Sequence, residues 1–186
     1  AEKNAEGFFY GKDWFVEKDN DLIIYKDQFG GLEFNSLGLN GDYQIYNAGL
    51  CIAALRLLKQ KNKISVNDEN IINGLKNAQL QGRLTELTGN TKSWISKSSE
   101  ILIDGCHNPS AAKVIGNEMV KKNNKDSKDL LIILGIKKNK NLDDFIKNFN
   151  EIAKEIIIVP IEGNVSSSLL DLRKKNLFKN TILKEA

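Results

Sequence analysis

The chain has 186 residues, 41% hydrophobic and 27% charged, a balance that supports one ordinary core or two small ones and excludes disordered and collagen-like classes. Its 27 basic and 24 acidic residues leave a net charge of +3 spread along the sequence, not the clustered basic stripe of a nucleic-acid binder. Two cysteines, Cys51 and Cys106, neither in a CxxC spacing, build no disulfide framework, and no apolar run reaches the roughly 18 residues that cross a bilayer.

The first seven residues lack a signal-peptide apolar region, so the expectation is a soluble, cytoplasmic protein with no nucleic-acid or membrane partner. Among the 27 basic residues only Arg56, Arg83 and Arg173 are arginines. In a lysine-rich chain each is a candidate for bidentate recognition of phosphate or carboxylate, although Arg56, on the helix near Leu55, and Arg173, in the tail, read most simply as surface residues.

In chain order, Gly7 to Tyr10, Trp14 to Val16, Leu22 to Tyr25 and Leu32 to Leu39 are short aromatic or β-branched runs separated by turn residues, which predicts antiparallel hairpins. From Ile45 to Gln60 the apolar residues Ala48, Ile52, Leu55 and Leu58 recur every three or four positions, as on an amphipathic helix. A second helix is expected from Asn67 to Lys76, with Asp68 and Glu69 suited to its positive first turn. The stretch from Ala78 to Ser99 is polar and aperiodic, a linker or a functional loop, and the domain boundary is placed there.

Beyond it, strand and helix alternate: Ile101 to Ile103, a helix from Pro109 to Lys122, Leu130 to Leu134, a helix from Leu142 to Ala153, and Ile156 to Val159. Continuous apolar strands predict a parallel sheet buried on both faces, hence a Rossmann-like α/β domain. Ser166 to Phe178 is a candidate helix and Thr181 to Leu183 a candidate strand start.

Ligands of open parallel sheets bind beyond the carboxyl ends of the strands, which directs attention to Ile101-Leu-Ile-Asp-Gly-Cys-His-Asn-Pro109. Asn108 suits a helix N-cap and Pro109 the first helical position, leaving Asp104, Gly105 and His107 in a tight strand-to-helix turn. The helix end could hold an anion there, and the Asp104 carboxylate could accept hydrogen bonds from a ribose. His107 is the sole histidine, which leaves it as a single proton carrier or hydrogen-bond donor. A nucleophilic dyad with adjacent Cys106 is disfavoured because neighbouring side chains diverge.

Arg83, in Gln81-Gly-Arg83, reads as a phosphate ligand or as a solvated loop arginine. Gln44 and Asn47, in Gly41-Asp-Tyr-Gln-Ile-Tyr-Asn47, carry amides that match the edge of a base, or that serve only capping and turns. The loop Gly135 to Asn141 brings lysines, Lys140 among them, to the same sheet edge as His107. No GxxxxGK[ST] or GxGxxG pattern is present, so nothing in the chain cradles a triphosphate alone.

Taken together and in order, Gly41 to Asn47, Gly82-Arg83, Asp104-Gly-Cys-His-Asn-Pro109 and the Gly135 to Asn141 loop resemble the carboxyl-terminal half of the folylpolyglutamate synthase and dihydrofolate synthase family, within the Mur ligase superfamily. The match covers about residues 7–165. It implies an ATP-dependent ligase that activates a pterin or folate carboxylate as an acyl phosphate for attack by the amino group of L-glutamate. It further implies that ATP lies between an amino-terminal P-loop domain and the Rossmann-like domain. Asn47 would then touch adenine, Arg83 the phosphates and Asp104 the ribose. His107 would position the γ-phosphate or the incoming glutamate, and Gln44 and Lys140 stand as secondary candidates.

The chain departs from the family at Tyr43, where histidine is usual, at Cys106, where alanine is usual, and at Asn139-Lys140-Asn141, which replaces an acidic-lysine-acidic pattern. The P-loop and the Mg2+ ligands have no counterpart in it.

The resulting expectation is a fragment. Residues 1–78 form the tail of a central ATPase domain, as β-hairpins followed by helices. Residues 79–186 form the Mur ligase carboxyl-terminal domain, truncated at its end. Alone it is expected to be monomeric and inactive, its partner being the P-loop domain of the same protein and its substrates folate or dihydropteroate and L-glutamate. A peptidoglycan-precursor ligase of the Mur type, or a non-catalytic nucleotide-binding or partner-binding α/β module, are the alternative readings.

Overall fold

In the computed structural model, which describes residues 7–96, 98–126, 128–137, 141–161 and 182–185, the aromatic runs near the start form a three-stranded antiparallel sheet. Its strands are β1 (Trp14–Asp19), β2 (Leu22–Asp27) and β3 (Gly30–Phe34), in that order across the sheet. Side chains alternate between faces along a strand, so Trp14, Val16, Ile23, Tyr25, Leu32 and Phe34 all point to one buried side. The register enforces this: Val16 stands opposite Tyr25, and Tyr25 opposite Leu32. The expected strand at Gly7 to Tyr10 is absent; a turn at 11–13 leaves only an isolated bridge between Tyr10 and Trp14.

Helix α1 (Gln44–Gln60) covers that buried face with Ile45, Ala48, Ile52 and Ala53. Gly49 allows the close approach: a Cβ there would lie 2.7 Å from the side chains of both Trp14 and Val16. Helix α2 (Asp68–Asn77) adds Ile71 to the same core. Its start follows the sequence signal, since the Asn67 side chain accepts from the Asn70 amide at 2.8 Å and Asp68 and Glu69 occupy the first turn.

The polar stretch after α2 contains β4 (Thr85–Glu86) and a 3-10 turn at Gly89–Trp94, and it ends in β5 (Leu102–Ile103). Strand β5 pairs antiparallel with β4, which corrects the expectation that it opens the parallel sheet. Two residues carry no periodicity that could announce a partner; the pairing is decided by the backbone bonds made when the loop folds back, including Leu87 N–H to Ile101 O at 2.8 Å. By spatial grouping the chain divides into units of residues 1–104 and 105–186, later than the boundary at residues 78/79 read from the sequence.

In the second unit, helix α3 (Pro109–Asp126) precedes β6 (Leu130–Leu134), α4 (Leu142–Ile146), β7 (Ala153–Ile158) and β8 (Ile182–Glu185). Strands β6, β7 and β8 form a parallel sheet in sequence order, so the protein is α/β with a parallel sheet and helices, as expected. Helix α3 meets the segment after α4 closely enough that a Cβ on Gly116 would sit 2.7 Å from Asn148 O.

Two expectations are corrected here. Helix α4 stops at Ile146, and Ala153 already begins β7. Nor is β6 buried on both faces: Leu131 is 51% and Ile133 66% exposed. The candidate helix at Ser166 to Phe178, with Arg173, lies outside the described residues, whereas the candidate strand near Leu183 is β8. Among the described residues no helix is long and apolar enough to cross a membrane.

Candidate functional site

The loop that carries Arg83 is fixed by its neighbours' backbone. Gly82 (φ 73°) and Leu84 (φ 46°) both adopt left-handed conformations, the second uncommon for a side chain with a branched body. The Leu84 amide donates to Asp104 Oδ2 at 2.9 Å, and the Leu84 carbonyl accepts from Asn40 Nδ2 at 3.2 Å. The Leu84 side chain is buried. On either side, the Arg83 amide donates to Thr85 Oγ1 at 3.3 Å and that hydroxyl donates to Leu80 O at 3.2 Å. Arg83 itself is exposed, so a side chain rooted in a pinned loop reaches outward.

Gly41 (φ 100°) opens the turn into α1 next to Asn40, and a Cβ on it would stand 3.3 Å from Leu84 Cδ1. Three groups separated in sequence thus meet in the first unit: the turn into α1, the Arg83 loop and Asp104. Gln44 and Asn47 occupy the first turns of α1 with no side-chain cap before them. Gln44 is buried and its Oε1 accepts from Asn47 Nδ2 at 2.8 Å, so one bond joins the two amides while Asn47 stays exposed.

The second unit begins with the rest of the turn. Asn108 caps α3 as its sequence signals, Oδ1 accepting from the Ala111 amide at 2.9 Å. His107 is exposed, with Nδ1 2.9 Å from Gly105 O. A carbonyl only accepts, so Nδ1 is the donor and the neutral ring keeps its lone pair on Nε2. Cys106 is half-buried and forms no disulfide. Lys140 lies outside the described residues. Among the described residues no group of three or more His, Cys, Asp or Glu could hold a metal ion.

Sequence reasoning singled out Arg83, Asp104, Gln44, Asn47 and His107, but missed Asn40 and Thr85. An asparagine before a glycine reads as turn chemistry, and only the folded chain brings it to a carbonyl 44 residues away.

Arg56 is the larger correction. Read as a surface residue, it is 7% exposed, with its guanidinium bonded to Asp27 Oδ1 (3.1 Å), Gly30 O (2.9 Å), Gly31 O (3.1 Å) and Asp68 Oδ2 (3.3 Å). It is the rivet between β2, β3, α1 and α2, not a ligand site.

The described residues thus comprise an antiparallel sheet under two helices, a pinned arginine loop beside an aspartate, and a parallel α/β unit opening on a capped helix. No family model matches the chain. It is 27% identical over 130 residues to the dihydrofolate synthetase of Saccharomyces cerevisiae, a match spanning 69% of this chain and 30% of that protein. It is 24% identical over 185 residues to a probable dihydrofolate synthetase of Schizosaccharomyces pombe, spanning 100% of this chain and 42% of the relative. Among solved structures, E. coli FolC in complex with DHPP and ADP superposes with a TM-score of 0.74 at 20% identity, over 95% of this chain and 38% of that one. In sequence the chain is thus similar to part of the dihydrofolate synthetases, and in fold to part of FolC. The chain spans less than half the length of the curated relatives it matches.

Proposed function

We propose that this chain is the carboxyl-terminal part of an ATP-dependent amide ligase that adds L-glutamate to dihydropteroate or folate, and that it supplies one wall of the nucleotide site. Residues 1–78 are the tail of the ATPase domain and residues 79–186 the ligase domain. The P-loop and the Mg2+ ligands belong to the amino-terminal portion. The observation that carries this reading is the hydrogen bond from Leu84 N to Asp104 Oδ2, which sets the Arg83 loop beside Asp104 and next to the turn into α1. Two of the four family-like motifs, and Asp104 of a third, then occupy one neighbourhood of one unit.

The donor set fits a nucleotide. Exposed Arg83 offers a planar fork for phosphate oxygens. A carboxylate has room for about four hydrogen bonds, so Asp104 can pin Leu84 and still accept from a ribose hydroxyl. Asn47, turned on Gln44, offers an amide to adenine. His107 carries an exposed Nε2 lone pair, which suits it to accept from the incoming ammonium group. Bound ATP supplies the phosphoryl group that activates the substrate carboxylate. The chain's own residues orient and neutralise, which is where acyl and phosphoryl transfer gain most of their rate.

The test uses the longer protein that carries this chain. With dihydropteroate, glutamate and ATP it should release phosphate, and Arg83→Ala should lower kcat/KM for ATP by about 100-fold, the loss of one charged donor to a transferring phosphate. An unchanged kcat/KM removes Arg83 from the site. Phosphate release with a nucleotide-linked muramyl substrate instead of dihydropteroate moves the assignment to a peptidoglycan ligase. The isolated chain should show no turnover.

A further inference from the structure

We propose that Asn40 is a positioning residue for Arg83, forming with Asp104 a two-sided clamp on the peptide that follows the arginine. This rests on the reading of Arg83 as a phosphate ligand. Leu84 is held at both of its backbone polar groups by side chains from distant parts of the chain, Asn40 on the carbonyl at 3.2 Å and Asp104 on the amide at 2.9 Å. Its own side chain is buried at 6% exposure, a third anchor. Its φ of 46° is one that an unconstrained leucine avoids at a cost of about 1 kcal/mol, so the conformation persists because the surroundings impose it.

One residue upstream, the Arg83 side chain is exposed and its amide is tied to Thr85 Oγ1. The loop is thus immobilised at Leu84 and Thr85 while the guanidinium remains free to meet a ligand. Fixing the root of a long side chain lowers the ordering entropy that ligand binding must overcome. Asn40 therefore acts on the nucleotide through Arg83 without touching it. Asparagine is suited to the task because its Nδ2 donates; a carboxylate of the same shape cannot donate to a carbonyl.

The experiment is a double-mutant cycle on the longer protein that carries this chain, read as KM for ATP and kcat. Asn40→Ala should raise KM for ATP about five- to tenfold and change kcat by less than about twofold. Asn40→Asp, which keeps the shape, should match it. Neither substitution should raise KM further in an Arg83→Ala background, because the clamp has then lost the side chain it aims. A merely structural role would instead lower the melting temperature and activity by equal factors in both backgrounds, and that outcome overturns the proposal. If Arg83→Ala raises KM strongly while Asn40→Ala and Asn40→Asp do not, the clamp fails and the phosphate reading stands. If Arg83→Ala itself leaves KM and kcat unchanged, the phosphate reading fails and this inference falls with it.

Discussion

Asp27 and Arg56, 29 residues apart in sequence, meet at 3.1 Å with side chains 0% and 7% exposed. Asp27 also accepts from Tyr25 Oη at 2.8 Å and from the Phe29 amide at 2.8 Å, while the guanidinium lies 5.5 Å from the Tyr25 ring centroid. Both carboxylate oxygens and both terminal guanidinium nitrogens of the ion pair are thus engaged, the condition under which a buried pair is tolerated. Removing one partner strands the other. Arg56→Ala should destabilise the chain by about 3–5 kcal/mol in urea denaturation followed by tryptophan fluorescence. Arg56→Lys should recover only part of this, because a single ammonium cannot span Asp27, Gly30 O, Gly31 O and Asp68. A melt of Arg56→Ala within about 1 kcal/mol of the parent would contradict the rivet.

That pair also marks how far the sequence could be read. The helix holding Arg56 was legible from its apolar spacing, and α2 from Asn67 and the acidic first turn. Position 56 continues the buried row Ile45, Ala48, Ile52 and so falls on the inward face. An arginine on an inward face signals a buried partner, but which carboxylate answers it depends on where the β2–β3 turn lies in space. The same limit hid Asn40, whose partner is fixed by tertiary folding. It also sent β5 to the wrong sheet. Motif residues were legible because their chemistry is local: caps, turns and a strand-to-helix corner. Pairings across tens of residues were not.

Tyr25 carries a pH signature. Burial first, then its hydrogen bond to Asp27, push its phenol far above the ordinary tyrosine value. The folded state therefore holds this proton more tightly than the unfolded chain does. Its stabilising contribution is complete below about pH 10 and declines as pH rises toward the folded value. Above pH 10, stability should fall in the parent and less steeply in Tyr25→Phe. In a spectrophotometric titration, one tyrosine should ionise only together with unfolding. Four tyrosines ionising reversibly near pH 10 in the folded chain would rule this out.

Two glycines should respond to alanine in opposite directions. Gly38 donates to Leu75 O at 2.9 Å at the end of α2, and a Cβ there would lie 2.2 Å from Ala78 O and 2.6 Å from Lys76 O, both backbone atoms that cannot swing aside. Gly38→Ala should lower the melting temperature. Gly74, within α2, has nothing within 4 Å of its would-be Cβ, so Gly74→Ala should stabilise by about 0.5–1 kcal/mol through helix propensity and a less disordered unfolded chain. A Gly38→Ala melt at or above that of the parent would refute the packing at Gly38.

Asn141, the last residue of the Gly135 to Asn141 loop, has a local task in the described structure. It caps α4, its Oδ1 accepting from the Asp144 amide at 3.3 Å, and its Nδ2 donates to Asp144 Oδ2 at 2.7 Å. Lys147 donates to the other Asp144 oxygen at 2.8 Å. The Lys147 hydrogen bond chiefly, and that of Asn141 next, hold the Asp144 carboxyl below its ordinary range. Restoring an acid with Asn141→Asp keeps a good cap but replaces a donor with a like charge. Asp144 should then titrate at higher pH than in the parent, and higher than in Asn141→Ala, which removes the donor without adding the charge. The interaction of Asp144 with its donors contributes above the ordinary carboxylate range and is lost as pH falls through the lowered folded value, so the variants should differ least in strong acid. Carboxyl-carbon NMR titration reads the midpoint directly. A midpoint unmoved by Asn141→Asp would show that the asparagine does not govern this carboxylate.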